Sequence, residues 1–267
     1  MKIFTAIFTY ERTALLKAMA ETLRGTTHYE SLRVNVFDDA SHEYGERELR
    51  SIFPEAERIF VNKENMGADK NVRQAMLKML NGDADCLALL DSDLIFNLNA
   101  FVFVNEYFQH TDGILSIYNS CLHGALSKVK IKGSFFSVKE NVGAAGCFIS
   151  RSNVENIVKH VPVSRRFDWD WSAYLISQGV RLLVSDESHV QHIGYDGYNA
   201  NYYLPYEFGL NFTPDNPTTT KHFAIAMEGI VINENKHKNT WAGLADAVYY
   251  GKRFVRSRMS NLLGKKK

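Results

Sequence analysis

The chain has 267 residues, 45% hydrophobic and 23% charged, with a net charge of +1. That length suits one large α/β domain or one domain plus a smaller appendage, and the near-neutral charge argues against a surface built throughout for nucleic acid. Cys86, Cys121 and Cys147 are scattered, forming neither a disulfide framework nor a zinc pattern, and suit a reducing cytoplasm.

The opening MKIFTAIFTY is too short for a signal peptide or a membrane span, and its apolar 2–9 predict a first strand. The helix expected next covers 11–25, with Leu15, Leu16, Met19 and Leu23 at helical spacing and Gly25 as its stop. RVNVFDDAS (33–41) predicts a second strand that ends in acids, and ERIFVNKE (57–64) a third. GADKNVRQAMLKMLNGD (67–83) predicts a helix with Val72, Ala75, Met76 and Met79 on one face. CLALLDSD (86–93) predicts a fourth strand that ends in Asp91 and Asp93, inside the apolar run LALLDSDLIF (87–96); in extended chain both acids would point to one face, with Ser92 opposite. Beyond it come a β-rich stretch (113–150), a helix near 168–179, a strand at 181–186 and a long Tyr/Asn/Gly/Pro loop at 194–220. No window is long and apolar enough for a transmembrane helix.

The tail is basic. Residues 236–267 hold nine Lys/Arg against one acid, Asp246, leaving the rest of the chain at −7. Trp241, Leu244, Val248, Val255, Met259 and Leu262 fall on one helical stripe there. This suits a basic amphipathic helix that docks on an anionic membrane or on a partner protein.

The β-α-β-β-α-β order implies a largely parallel sheet flanked by helices, whose ligands bind at the carboxyl ends of the strands. Thr9-Tyr10, Asp38-Asp39 and Asp91-Asp93 all fall there. Paired carboxylates on an apolar strand end need a positive partner, and a hard divalent cation such as Mn²⁺ or Mg²⁺ meets that need. One acid would hold the metal while the other bonds a ribose or a metal-bound water. Asn65 and Gly67 lead into a helix N-terminus that favours an anion, with Lys70 or Arg73 in reach of phosphate.

In this order the pieces resemble the GT-A-fold glycosyltransferases, specifically the large family 2 of nucleotide-sugar-dependent enzymes. The resemblance covers roughly residues 1–195 and rests on Thr9, Tyr10 and Arg12 at the opening strand, Asp38-Asp39-Ala40-Ser41, Asn65-x-Gly67 with Asn71 behind it, and Asp91-Ser92-Asp93. VGAAGCFISR (142–151) matches the family's Gly-rich strand with Gly146 beneath the sugar site, FDWDWSAYLISQGVRL (167–182) its E-D-x-D-L helix, and HVQHIG (189–194) its closing His segment. Phe167 stands where the family has Glu, and Trp171 where it has Leu.

The resemblance implies a Rossmann-like GT-A domain over 1–220. Residues 1–112 would bind the nucleotide sugar; 113–220 would form the acceptor side, with 194–220 as a lid; 221–267 would be a basic helical extension. It implies an inverting, metal-dependent transfer from a nucleotide-diphosphate sugar, with uracil as the expected base, to a glycan or lipid-linked glycan. The site is expected in the cytoplasm, with the tail available to the inner membrane face. Thr9, Tyr10, Arg12, Asp38, Asp39, Asn65, Gly67, Lys70, Asp91 and Ser92 would serve the nucleotide. Asp93 and His192 would hold the metal, with His189 a weaker candidate. Asp168 would be the general base with Asp170 as the alternative, and Trp169 would face the acceptor sugar. The tyrosines at 195, 198, 202, 203 and 206 would close over the donor. The rival readings are a non-catalytic sugar-binding subunit of the same fold and a haloacid-dehalogenase-type phosphatase.

Overall fold

The structure, a computed structural model, describes residues 1–194 and 206–238, with side chains to Ile232. The chain runs β1 (Ile3–Thr9), α1 (Thr13–Arg24), β2 (Leu32–Asp38), α2 (Glu46–Ile52), β3 (Arg58–Val61) and α3 (Ala68–Leu80). Then come β4 (Cys86–Asp91), β5 (Leu94–Phe96), α4 (Ala100–Tyr107), β6 (Ile114–Ser116), β7 (Ser127–Ile131), β8 (Ser134–Lys139) and β9 (Cys147–Ser150). Helices α5 (Arg151–His160) and α6 (Phe167–Ser177), strands β10 (Leu182–Ser185) and β11 (Val190–His192), and helix α7 (Pro217–Lys238) follow.

Nine strands form one sheet in the order β3-β2-β1-β4-β9-β6-β10-β8-β7. The pairings orient all of them one way except β9 and β8, so the sheet is mostly parallel, as the sequence predicts. Helices cover both faces, which explains why the core strands are apolar without alternation. From β1, Ile3 and Ile7 join Leu16, Met19, Leu49, Phe53 and Phe101 of α1, α2 and the α4 side. Phe4, Ala6 and Phe8 face Met76, Met79, Ile157 and Trp171 of α3, α5 and α6. A fully buried Leu or Met here stabilises the fold by roughly 2 kcal/mol.

One compact unit comprises residues 1–194 and 207–223. A second comprises 195–206 and 224–267, of which Tyr206 and α7 as far as Lys238 are described. Among the described residues no helix is long and apolar enough to cross a membrane.

Three expectations change. The fourth strand does not run to 93: β4 stops at Asp91, the chain turns at Ser92 and Asp93, and β5 enters a separate two-stranded sheet with β11. Helix α1 begins at Thr13, because Glu11 and Arg12 take left-handed backbone conformations. The long loop is shorter than expected, since Pro217 opens α7, Thr219 N–H bonds Asn216 Oδ1 (2.9 Å), and 207–210 is stitched to the body. Gly209 bridges Ser120, and Leu210 N–H donates to the Asn119 carbonyl (2.7 Å). Residues 195–205 of the expected lid and the 241–267 stripe lie outside the described residues.

Candidate active site

Strand register sets the rim. Thr9 pairs Asp38, and Phe8 pairs Asp91, so the carboxyl ends of β1, β2 and β4 form one row. The first acid pair is committed to shaping that row. Buried Asp38 accepts from Ser41 N–H (3.1 Å) and from the Ser41 hydroxyl. Burial pushes its carboxyl up, against those two bonds. Asp39 accepts from Met66 N–H (2.8 Å), Gly67 N–H (2.8 Å) and Asn62 Nδ2 (3.0 Å), so it pins the loop that leads into α3. Gly67 takes φ 87° there, a conformation open to glycine, and Asn65 Oδ1 accepts its N–H as well (3.1 Å). Asn71 of α3 donates to the Phe37 carbonyl (3.1 Å), tying the helix back to β2. The Thr9 hydroxyl bonds Tyr44, and Tyr10 is half-buried beside it. Lys70 is exposed, whereas Arg73 turns away to donate to the Val158 carbonyl of α5 (2.6 Å).

The second acid pair gathers the charge. One ligand atom each from Asp91, Asp93 and His192 lie within 4.8 Å of one another. The β5–β11 pairing makes this possible, because Leu94 pairs His192 and the Ile193 N–H bonds the Asp93 carbonyl (2.8 Å). Ser92 is buried in the turn, its N–H on the Phe8 carbonyl (3.0 Å). Arg12 Nη1 lies 2.8 Å from Asp93 Oδ2, and His192 Nε2 lies 3.0 Å from Oδ1. Burial favours the neutral acid at Asp93, yet His192 and Arg12 outweigh it and hold the carboxyl below its ordinary value. Burial and the charge of Asp93 push Asp91 up. Burial opposes the imidazolium of His192, but Asp93 and then Asp91 raise it overall. His189, the other candidate, instead packs against Phe103 with the rings tilted by 34° and their centres 4.2 Å apart.

A divalent cation fits this cluster. Two carboxylates and an imidazole are suitable ligands for Mn²⁺, and for Mg²⁺ through the carboxylates. Among the described residues, buried Asp93 Oδ1 has no hydrogen bond of ordinary geometry, although His192 Nε2 lies 3.0 Å away. Such an oxygen is costly to bury without a strong partner.

The acceptor side is built from the Gly-rich segment. Gly146 takes φ 71°, its N–H bonds the Leu89 carbonyl of β4 (3.0 Å), and a Cβ there would meet Ile117 and Val190 at 3.0 and 3.1 Å. The same segment reaches α6, where Asn141 Nδ2 lies 3.4 Å from Asp168 Oδ2 and Ser172 Oγ donates to Asn141 Oδ1 (2.9 Å). Asp168 is half-buried; Asp170 is exposed and accepts from the Ser164 hydroxyl. The two tryptophans separate. Trp171 is core, and Trp169 is half-buried with Arg166 over its ring (5.5 Å) and His123 at its edge (6.1 Å).

Sequence reasoning missed several residues. Asp69, in the first turn of α3, accepts from the N–H of Phe167 (3.3 Å), the first residue of α6. Buried Lys139 donates to the Ser120 and His123 carbonyls (3.0 and 2.7 Å), and burial pulls its pKa down. Gly194 leaves room for the Asp93–Arg12 pair, since a Cβ there would overlap the carboxylate. A lone Asp, Lys or Gly has no sequence signal for such roles.

No protein family and no curated protein matches the sequence. The fold does match solved structures. GalNAc-T7, in a crystal structure with UDP, GalNAc and Mn²⁺, superposes with a TM-score of 0.60 at 12% identity, over 85% of this chain and 48% of that one. This is a GT-A fold. Residues 1–349 of S. aureus TarS also align, with a TM-score of 0.49 and 16% identity over 87% of this chain and 65% of that one. The chain thus spans about half the length of GalNAc-T7. The GT-A sheet carries its Asp91-Ser92-Asp93 turn on the fourth strand, between the two halves of the sheet. That removes the phosphatase reading, which needs the acids on the first core strand.

Proposed function

We propose that this chain is a metal-dependent, inverting glycosyltransferase of the hexosyl or N-acetylhexosaminyl class. It would move a sugar from a nucleotide-diphosphate donor, UDP foremost, to a hydroxyl of a glycan or lipid-linked glycan, as in surface polysaccharide synthesis. The observation that carries this reading is the Asp91–Asp93–His192 cluster at the rim of a GT-A sheet. The UDP, GalNAc and Mn²⁺ held by GalNAc-T7 support the donor class.

Asp93 and His192, with Asp91 beside them, would hold Mn²⁺ or Mg²⁺. When bound, that cation supplies Lewis-acid stabilisation of the departing diphosphate. Thr9, Tyr10 and the Asp39-pinned loop through Asn65 and Gly67 would wall the nucleotide, with Asp38 bracing the wall from within. Lys70, exposed at the start of α3, is free to meet phosphate. Gly146, whose positive φ and close packing on Ile117 and Val190 suit glycine, would shape the floor beside the strand end beneath the sugar. Asp168 would accept the proton of the acceptor hydroxyl as it attacks the anomeric carbon from the face opposite the diphosphate, which inverts that centre. Asp168 is half-buried beside the Gly-rich segment, whereas Asp170 is exposed, so Asp168 is taken as the base. Trp169 and His123 would face the acceptor ring. The protein would work in the cytoplasm, with residues 241–267 meeting an anionic membrane or a partner protein.

The test is UDP release from a panel of UDP-sugars by the purified full chain, with Mn²⁺ and glycan acceptors, then with chelator. Release that needs both acceptor and metal is expected, with the product anomer inverted by NMR. Retention would exclude the inverting route, and tight donor binding without turnover would favour the non-catalytic subunit. Absence of both binding and turnover would sink the transferase reading.

A further inference from the structure

Between β1 and α1 the chain does something costly. Glu11 (φ 54°) and Arg12 (φ 63°) are consecutive non-glycine residues in the left-handed region. Such conformations persist where the surroundings over-determine them, and they gather at functional sites. Segment 41–44 supplies the grip. Glu11 N–H donates to Ser41 Oγ (2.8 Å), and the Tyr44 hydroxyl donates to the Glu11 carbonyl (2.9 Å). The Glu11 carboxylate accepts from His42 N–H (2.9 Å) and Glu43 N–H (3.0 Å). Just past Arg12, Thr13 gives its N–H and hydroxyl to Glu43 (2.8 and 2.7 Å).

The product of this turn is a single ion pair. It aims Arg12 Nη1 at Asp93 Oδ2, 2.8 Å away, on a carboxylate whose side chain is 3% exposed. The same pair needs Gly194, where a Cβ would overlap the carboxylate and approach Nη1 to 2.7 Å. Strained backbone, a hydrogen-bonded clamp and a side-chain-free position therefore all serve one contact. That contact places a fixed cation on a carboxylate of the cluster that fits a divalent cation.

We propose that Arg12 is the built-in counter-ion of the Asp91–Asp93 site: it holds Asp93 while the donor is absent, disfavours bare metal, and yields when metal arrives with a diphosphate. This rests on the donor-site reading above. A guanidinium beside Asp93 repels an incoming dication. A diphosphate changes the balance, because its oxygens offer the guanidinium a bidentate partner of like chemistry. Metal and nucleotide then bind as a coupled pair, each tightening the other by the same factor. Glu11 is the positioning residue, since its contacts set the turn that aims Arg12.

Mn²⁺ binding to the full-length protein, followed by EPR of the free ion with and without UDP, tests this without any activity readout. In the wild type Mn²⁺ alone should bind weakly and UDP should tighten it. Arg12→Gln should bind Mn²⁺ alone about tenfold more tightly or better, from the loss of a charge at contact distance. It should also show a smaller effect of UDP. Glu11→Ala, which keeps the guanidinium but frees the turn, should move in the same direction by less. It decides the matter if Arg12→Gln does not fold by circular dichroism. Folded variants with unchanged or weaker Mn²⁺ binding, and UDP coupling like the wild type's, would overturn the counter-ion role alone. A wild type that binds neither UDP nor Mn²⁺ with UDP would overturn the donor-site reading and this inference together.

Discussion

Asp168 and Asp170 sit one residue apart on α6 yet meet different surroundings. Asp168 is half-buried within reach of Asn141, on the segment that ends at Gly146; Asp170 is exposed and bonded to Ser164. Asp168→Asn keeps the shape and removes the base. It should lower kcat by about 10²–10⁴-fold with little change in donor KM. Asp170→Asn should cost far less, and steady-state kinetics on the two variants separates them. A reversed ranking would move the base to Asp170. The family resemblance had already put Asp168 first, but only the side-chain partners supply a physical reason. The split between Trp169 and Trp171 is of the same kind, because positions two apart on one helix point to opposite faces, here rim and core.

At the scale of elements, the strands and the two long helices of the first ninety residues are legible because a parallel sheet covered on both faces produces long apolar runs bounded by Gly and Asp. The helices α2, α4 and α5 were not foreseen. Each is 7–10 residues long, too short for a helical period to stand out. A start signal for α5 was present, in Ser150 accepting the Asn153 N–H (3.3 Å). The Asp39 loop shows how one element depends on a single carboxylate. Asp39→Ala would leave Met66 and Gly67 N–H without that acceptor and free the entry to α3. Urea unfolding should show a loss of about 3 kcal/mol, the scale of several hydrogen bonds to a charged acceptor. A loss within experimental error would show that the loop is held by other contacts.

For the molecule as a whole, stability should carry a pH signature from His189. Burial lowers its imidazole from 6.5 to about 4, against the opposing charge of Asp215. Between those values the unfolded chain takes a proton that the native state refuses, so stability falls as pH drops from 6.5 toward 4 and is fully present above 6.5. The gap corresponds to at most roughly 3 kcal/mol. Denaturation of wild type and His189→Asn at matched pH should give a difference that changes across this window and is flat above it. Parallel curves would show that His189 stays solvated and titrates normally. The comparison must be a difference, because Asp91 and His192 shift the other way, both being raised.

By itself the sequence determined the fold class, the order of the nucleotide-side strands and helices, and the carboxylate-rich strand ends, because burial patterning and strand-end chemistry are local properties of the chain. It also carried the choice of His192, but only through a resemblance. Tertiary structure decided how the charges meet. The turn at Ser92 and Asp93 sends β5 away from the main sheet to pair with β11, which is what carries His192 to Asp93. The left-handed turn at Glu11 and Arg12 brings in a second cation from 81 residues away. No periodicity encodes either event, because an ion pair across such a separation depends on where the packed sheet places its rim.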